Sequence, residues 1–231
     1  MRPTYPLISC ICVTDSRPEF LKRAISCFEA QNYLNKELVV SYPRNDKKTK
    51  SLLDELASDD ELNILRVERD QDESVGNARN LAINKCRGDY ICVWDDDDWY
   101  HASRLSFQFN SMNTTGRGYS ASVLTSVILF DHTTLKSYMS SRYTWENTLL
   151  CRKEIILQNQ YAHRNKGEDT HIIQFLEKKK FLFHIDEAPF LYIYIYHGGN
   201  TWNYEHYQHL ISKGALLDED VTQTILGVLN N

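Results

Sequence analysis

Residues 90–94 read Tyr-Ile-Cys-Val-Trp and run directly into Asp95, Asp96, Asp97 and Asp98, with Trp99 behind them. The apolar stretch reads as a strand buried on both faces. Four successive carboxylates at the end of such a strand repel one another and raise each other's pKa values. A divalent cation relieves that repulsion. Mg²⁺ or Mn²⁺ prefers carboxylate oxygen and often keeps places open for substrate phosphates. The bland alternative is a solvated acidic loop. The strand before the run and Trp99 after it argue against a floppy segment. An EF-hand is disfavoured, because its glycine and terminal glutamate are missing.

The residues before this run alternate between strand and helix patterns. Residues 7–13 (LISCICV) form a near-continuous apolar run, followed by a polar turn at Thr14, Asp15, Ser16 and Arg17. Pro18 suits a first helical position, and Phe20, Leu21, Ala24, Ile25 and Phe28 repeat with a period near 3.6. Residues 37–40 and 62–67 read as strands, with a helix marked by Leu52, Leu53 and Leu56 between them. Residues 74–86 read as another helix, which Gly88 is expected to end. This alternation predicts an α/β fold with a doubly wound, mostly parallel sheet and helices on both faces. Ligands of such sheets bind beyond the carboxyl ends of the strands. The Thr14 turn and the aspartate run both stand there.

The second half is less regular. Residues 121–130, 135–138, 181–185 and 190–196 read as strands, a helix follows Glu168 and Asp169, and one or two helices follow His206. The alternation of Tyr192, Tyr194 and Tyr196 with Ile193 and Ile195 predicts a two-faced strand. With 231 residues and no low-complexity linker, we expect a single domain. Its parts are a regularly alternating half over about 1–100, a less regular half over about 101–200 and a helical tail over about 201–231. The tail is compatible with a dimer contact or a membrane-side helix.

The formal net charge is −5, which disfavours a non-specific nucleic-acid binder. No segment approaches the roughly 20 apolar residues of a membrane span. Residues 8–13 are too short for the apolar region of a signal peptide, so the expected compartment is the cytoplasm, with room for peripheral docking on a membrane face. None of the six cysteines forms a CxxC pair, and core packing of reduced thiols is expected.

An ordered set of these segments resembles the family 2 glycosyltransferases of the GT-A fold. It comprises the first strand with Thr14, then Arg17-Pro18, Gly76-Asn77-Ala78-Arg79-Asn80, Gly88-Asp89-Tyr90-Ile91 and Asp95 to Trp99. The run matches the family's DxDD pattern, Glu168-Asp169 its later acidic pair, and His197 its late histidine. The resemblance covers roughly residues 6–200, makes about 1–100 the nucleotide-sugar-binding half and about 101–200 the acceptor-binding half, and implies a role for each matching position. Asp97 would ligate Mn²⁺ or Mg²⁺, with Asp95 holding metal or donor ribose and His197 a further ligand or diphosphate contact. Thr14, Asp15, Asp96 and Arg79 would line the nucleotide-sugar site, Arg79 meeting base or diphosphate. Asp169, beside Glu168, would be the general base of an inverting single displacement. Helix capping is the structural alternative for that pair. The implied reaction moves a sugar from a nucleotide-sugar, foremost a UDP-sugar, to a hydroxyl of a glycan, lipid-linked or protein acceptor.

One segment departs from the pattern. Tyr42 stands where the family carries the first acid of a base-holding pair, and Asp46 is the nearest substitute. Tyr42 would meet the base by stacking, since it cannot accept as a carboxylate does. Two rival readings follow. Strand-borne aspartates with a later helical acid also describe a metal-dependent nuclease or nucleotidyltransferase. The altered 41–43 segment also suits a glycosyltransferase-like binding module without turnover.

Overall fold

The computed structural model describes residues 5–57 and 62–229. The first half forms β1 (Ile8–Val13), α1 (Pro18–Glu29), β2 (Lys36–Pro43), α2 (Lys47–Leu56), β3 (Ile64–Arg69), α3 (Val75–Lys85) and β4 (Tyr90–Val93). The second half forms β5 (Trp99–Tyr100), α4 (Arg104–Thr114), β6 (Ala121–Leu124), β7 (Ile128–Asp131), β8 (Lys136–Met139) and β9 (Trp145–Arg152). There follow α5 (Lys153–Gln158), α6 (Thr170–Lys178), β10 (Leu182–Ile185), β11 (Tyr192–Tyr196), α7 (Tyr204–Ser212), β12 (Ala215–Leu216) and α8 (Glu219–Leu229).

The main sheet has the order β10-β6-β9-β4-β1-β2-β3. All its pairs are parallel except those of β9, which runs antiparallel to both β4 and β6. The predicted α/β class therefore holds. Continuous apolar strands arise because both faces are covered. Along β1, Ile8, Cys10 and Cys12 join the core under α1, α2 and α4, whereas Ile11 joins the core under α3, α5 and α6. All six cysteines are buried and unpaired within these cores, with Cys10 opposite Cys92 across β1 and β4.

The second half is better ordered than its sequence pattern suggests. The expected strand over 121–130 is two strands in different sheets. Thr125 ends the first, because its N–H and its hydroxyl both bond the Ile185 carbonyl at the end of β10. The chain then turns and β7 joins a second sheet, ordered β12-β8-β7-β11-β5. Helix α4 and strand β9 carry no clear period in sequence and were not anticipated. The Tyr/Ile alternation of β11 is two-faced: Tyr192 and Tyr196 enter the main core, while Ile193 and Ile195 meet Ile225 of α8. Tyr207 of α7 stacks on Tyr196 with ring centroids 4.7 Å apart, so the tail docks on this second sheet. Among the described residues no helix is long and apolar enough to cross a membrane.

Two glycines are required by close approach. Helix α3 ends at Cys86, before Gly88, so Gly88 is not its stop. A Cβ on Gly88 would stand 2.5 Å from Ser9 Oγ and 2.8 Å from the Leu7 carbonyl oxygen. A Cβ on Gly76, in the first turn of α3, would stand 1.9 Å from the Ala162 carbonyl oxygen. The Gly76 N–H also donates to the Arg164 carbonyl at 3.2 Å, so this glycine seats the segment that leads to Glu168 and Asp169. Gly76→Ala must displace backbone. We expect it to lower stability by about 1–3 kcal/mol, the usual scale for overpacking, as read by urea denaturation.

Candidate active site

The four aspartates follow β4 at the carboxyl edge of the parallel strands, and they are drawn to partners on several different elements. Asp95 Oδ1 accepts from Arg79 Nη2 at 2.9 Å. Asp96 accepts from Thr14 Oγ1 at 2.6 Å and from Arg17 Nη2 at 2.6 Å. Asp97 Oδ2 accepts from Arg17 Nη1 at 3.0 Å and lies 3.2 Å from His197 Nε2. Asp98 accepts from the Tyr192 hydroxyl and from the Ile195 N–H at 3.0 Å. Asp98 therefore ties the run to β11 and is structural.

The environments set these carboxyls apart. Burial, then the charge of Asp97, pushes Asp96 up to about 7 despite Arg17 and Thr14. Burial pushes Asp97 the same way, but the His197 hydrogen bond and Arg17 outweigh it, and Asp97 is held below the usual range. Burial, reinforced by Asp97 and Asp95, raises Asp98 well above it. Beneath the run lies the fully buried Arg104, whose Nη2 donates to the Val93 carbonyl at 3.0 Å. Its guanidinium sits 4.6 Å from the Tyr100 ring centroid. Arg23 of α1 donates to the Asp97 carbonyl at 2.6 Å. Arg17 and Arg23 were not singled out in sequence as site residues. Their signal was a pair of arginines at a helix start facing an acidic run.

Arg79 does not lie open to a base or diphosphate. Its Nη1 pairs with Glu168 and its Nη2 with Asp95, and the side chain is buried against Tyr161. It clamps the aspartate turn to the acidic pair before α6. Burial, opposed by Arg79 and aided by Asp169, raises the Glu168 carboxyl. Asp169 is the N-cap residue of α6, yet its side chain makes no capping bond. Capping thus explains neither acid. Beside Asp169 stands Glu146, at the start of β9, which sequence reasoning missed. It accepts from Thr170 Oγ1 at 3.3 Å. A single acid inside an unrecognised strand carried no signal.

The base side differs from expectation. Tyr42 is 1% exposed and belongs to the core beneath α2, with its hydroxyl 3.4 Å from Glu68, so its ring is not available for stacking on a base. Asp46 is occupied too: it caps α2 through Thr49 N–H at 3.0 Å and accepts from Ser16 N–H at 2.7 Å. That second bond holds the Thr14–Ser16 turn, in which Ser16 has φ 56° and Asp15 is exposed. Arg69, the last residue of β3, is buried and donates Nη2 to the Thr14 carbonyl at 3.0 Å, while its Nε has no partner among the described residues. It was not anticipated either.

Of the expected metal ligands, Asp97 and His197 meet, whereas Asp95 turns to Arg79. Among the described residues no group of three or more His, Cys, Asp or Glu side chains is gathered as a metal cage.

A mixed α/β fold with a central, mostly parallel sheet and an acidic turn at the carboxyl edge of its strands matches the GT-A class of glycosyltransferase folds. The sequence model described as glycosyl transferase family 2 matches residues 9–175, and the chain belongs to that family. It is 30% identical over 109 residues to an uncharacterized glycosyltransferase of Methanocaldococcus jannaschii, covering 46% of this chain and 37% of that one. It is 23% identical over 152 residues to the GalNAc(5)-diNAcBac-PP-undecaprenol beta-1,3-glucosyltransferase of Campylobacter jejuni, covering 66% of this chain and 48% of that one. The matched regions thus span half or less of these relatives. In structure it resembles S. aureus TarS 1-349 in complex with UDP, with a TM-score of 0.62 at 15% identity, covering 82% of this chain and 60% of that one. It also resembles the mannosyltransferase PcManGT of Pyrobaculum calidifontis in complex with GDP-Man and Mn²⁺. There the TM-score is 0.67 at 13% identity, with 86% of this chain and 59% of that one covered.

The clamp makes a stability test possible. Arg79→Met leaves Glu168 and Asp95 without their cation. Removing one partner of a buried pair costs about 3–5 kcal/mol, and we expect a loss on that scale by denaturant unfolding. Adding Glu168→Gln to Arg79→Met should recover part of the loss.

Proposed function

We propose that the protein transfers one sugar from a nucleotide-sugar to a hydroxyl acceptor with inversion at the anomeric carbon. The observation that carries this reading is the link between two acidic centres. Arg79 joins the aspartate turn after β4 to the Glu168–Asp169 pair at α6, and the Asp169 side chain is free of capping duty. One centre faces the departing diphosphate and the other the attacking hydroxyl. The whole described chain acts as one domain, with the donor on the β1–β4 side and the acceptor on the β9–β11 side.

In the proposed step the acceptor oxygen attacks the anomeric carbon as the bond to the diphosphate oxygen breaks. Asp169 takes the acceptor's proton, and the diphosphate leaves with the bonding electron pair. Arg17, beside Asp96 and Asp97, offers positive charge where negative charge grows on the leaving group. Asp97 and His197, with Asp95 two residues away, form an oxygen and imidazole donor set that fits Mn²⁺ or Mg²⁺. Asp97 and His197 would hold the ion, and Asp95 would join them only by leaving Arg79. When bound it supplies charge neutralisation for the diphosphate. The manganese of the PcManGT complex supports the same choice.

The donor nucleotide is proposed to be UDP, the ligand of the TarS complex. Thr14 and Asp15 remain at the edge of the proposed base pocket. Arg69 takes the place left by Tyr42 and Asp46 as a support of that pocket, because its buried guanidinium holds the Thr14 carbonyl. The proposed acceptor is a glycan or lipid-linked sugar, the acceptor class in the name of the Campylobacter relative.

A thermal-shift panel of UDP, GDP, CDP and ADP, with and without Mn²⁺, tests the donor side. A ligand that binds only the folded state raises the melting temperature. UDP is expected to stabilise the protein more with Mn²⁺ than without, and Asp97→Ala to abolish the metal-dependent part. A response to none of the four would overturn the reading. On the acceptor side, Asp169→Asn should lower kcat by about 10²–10⁴-fold, the usual worth of a general base, and leave the UDP shift unchanged.

A further inference from the structure

Strand β9 runs antiparallel to β4, so its first residues lie at the edge where the parallel strands end. That pairing carries Glu146 to the start of α6. Thr170 holds Glu146 Oε2 from one side, and the Asp169 carboxyl lies within hydrogen-bonding reach. Glu146 pairs with no Lys or Arg among the described residues, whereas Glu168 next door is held by Arg79. Two carboxyls this close cannot both ionise cheaply, and the cost falls on Glu146.

We propose that Glu146 is the positioning residue of the general base: as a neutral acid it donates a hydrogen bond to the Asp169 carboxylate and fixes which oxygen faces the acceptor hydroxyl. This rests on Asp169 being the base, as argued above. The proton balance is simple. The acceptor's proton passes to the free oxygen of Asp169, Glu146 keeps its own proton, and Asp169 later returns its proton to water.

The surroundings favour this assignment. Burial, then the charge and hydrogen bond of Asp169, pushes Glu146 up to about 8. The titratable groups that face the pair are Glu168 from the turn before α6, Tyr143 from the segment before β9 and Tyr161 from the loop after α5. Arg79 of α3 stands behind Glu168. Above pH about 8 the pair loses its proton, and two anions then repel where one was held.

The test compares Glu146→Gln, Glu146→Ala and Asp169→Asn with the wild type. Release of nucleoside diphosphate from UDP-glucose, UDP-N-acetylglucosamine or GDP-mannose is followed from about pH 6 to about pH 9.5, with water or a glycan as acceptor. The amide of Glu146→Gln still donates. It should keep kcat within about threefold at pH 7 and lose the alkaline fall centred near pH 8. Glu146→Ala should lower kcat about tenfold or more, with the UDP thermal shift intact. An alkaline limb that survives Glu146→Gln, or a wild-type rate in Glu146→Ala, would overturn the proposal. Full activity in Asp169→Asn would instead remove the base assignment beneath it.

A second readout needs no turnover. A carboxyl with a raised folded-state pKa binds its proton more tightly folded than unfolded. Its stabilising contribution is therefore lost as pH rises from the ordinary glutamate range to about 8. The melting temperature of Glu146→Gln should gain on that of the wild type across this window. The gain should shrink when Asp169→Asn is already present, because the neighbouring charge is gone. A gain of the same size in both backgrounds would show that the two acids are not coupled, and the proposal would fall.

Discussion

A carboxylate out of water must find compensation, and the turn after β4 holds four in succession. The protein meets this demand by separating them. Arg17 comes from α1, on one face of the sheet, and Arg79 from α3, on the other. Asp98 is drawn into the second sheet by Tyr192 and the backbone of β11. The acidic turn is therefore where both helix layers and both sheets are fastened together. Removing a buried charge's partner is more costly than never burying it. The site and the fold are stabilised by the same contacts.

Most of the first half was legible because its signals are local. Pro18 opens α1 and the period of Leu21, Ala24, Ile25 and Phe28 buries one face. Strands β1 and β4 announce themselves by apolar runs that only a doubly covered sheet tolerates. Strand β9 and helix α4 were not legible. In β9, polar and apolar residues do not alternate, because Glu146 and Asn147 face the site while Leu149 and Leu150 enter opposite cores. In α4 the buried face includes Arg104 and Gln108, which serve the aspartate turn and read as surface residues in sequence.

The same limit explains the site residues. Asp95, Asp96, Asp97, Asp169 and His197 could be proposed from a resemblance, because each lies in a recognisable short segment. Their partners could not. The ion pair of Arg79 with Glu168 spans 89 residues of chain. Arg79 was therefore read as an open ligand contact when it is a clamp. Tyr42 was read as a base contact because of its position in a motif. Strand parity decides otherwise: Leu38, Val40 and Tyr42 share the face beneath α2, so the ring goes to the core.

Strand direction accounts for the proposed acceptor side as well. A parallel strand presents its last residues at the ligand edge, and an antiparallel one presents its first. Beside β4, the chain therefore places residues from two distant segments at one edge, the aspartates that end β4 and the glutamate that begins β9. The segment before α6 meets them there because Gly76 lets the Ala162–Arg164 backbone pack against α3. The carboxyl groups of Glu146 and Asp169 then meet, and among the described residues no Lys or Arg pairs with Glu146. Burial and the neighbouring Asp169 charge favour the protonated form of Glu146, and that is the form the proposed orienting bond to Asp169 requires.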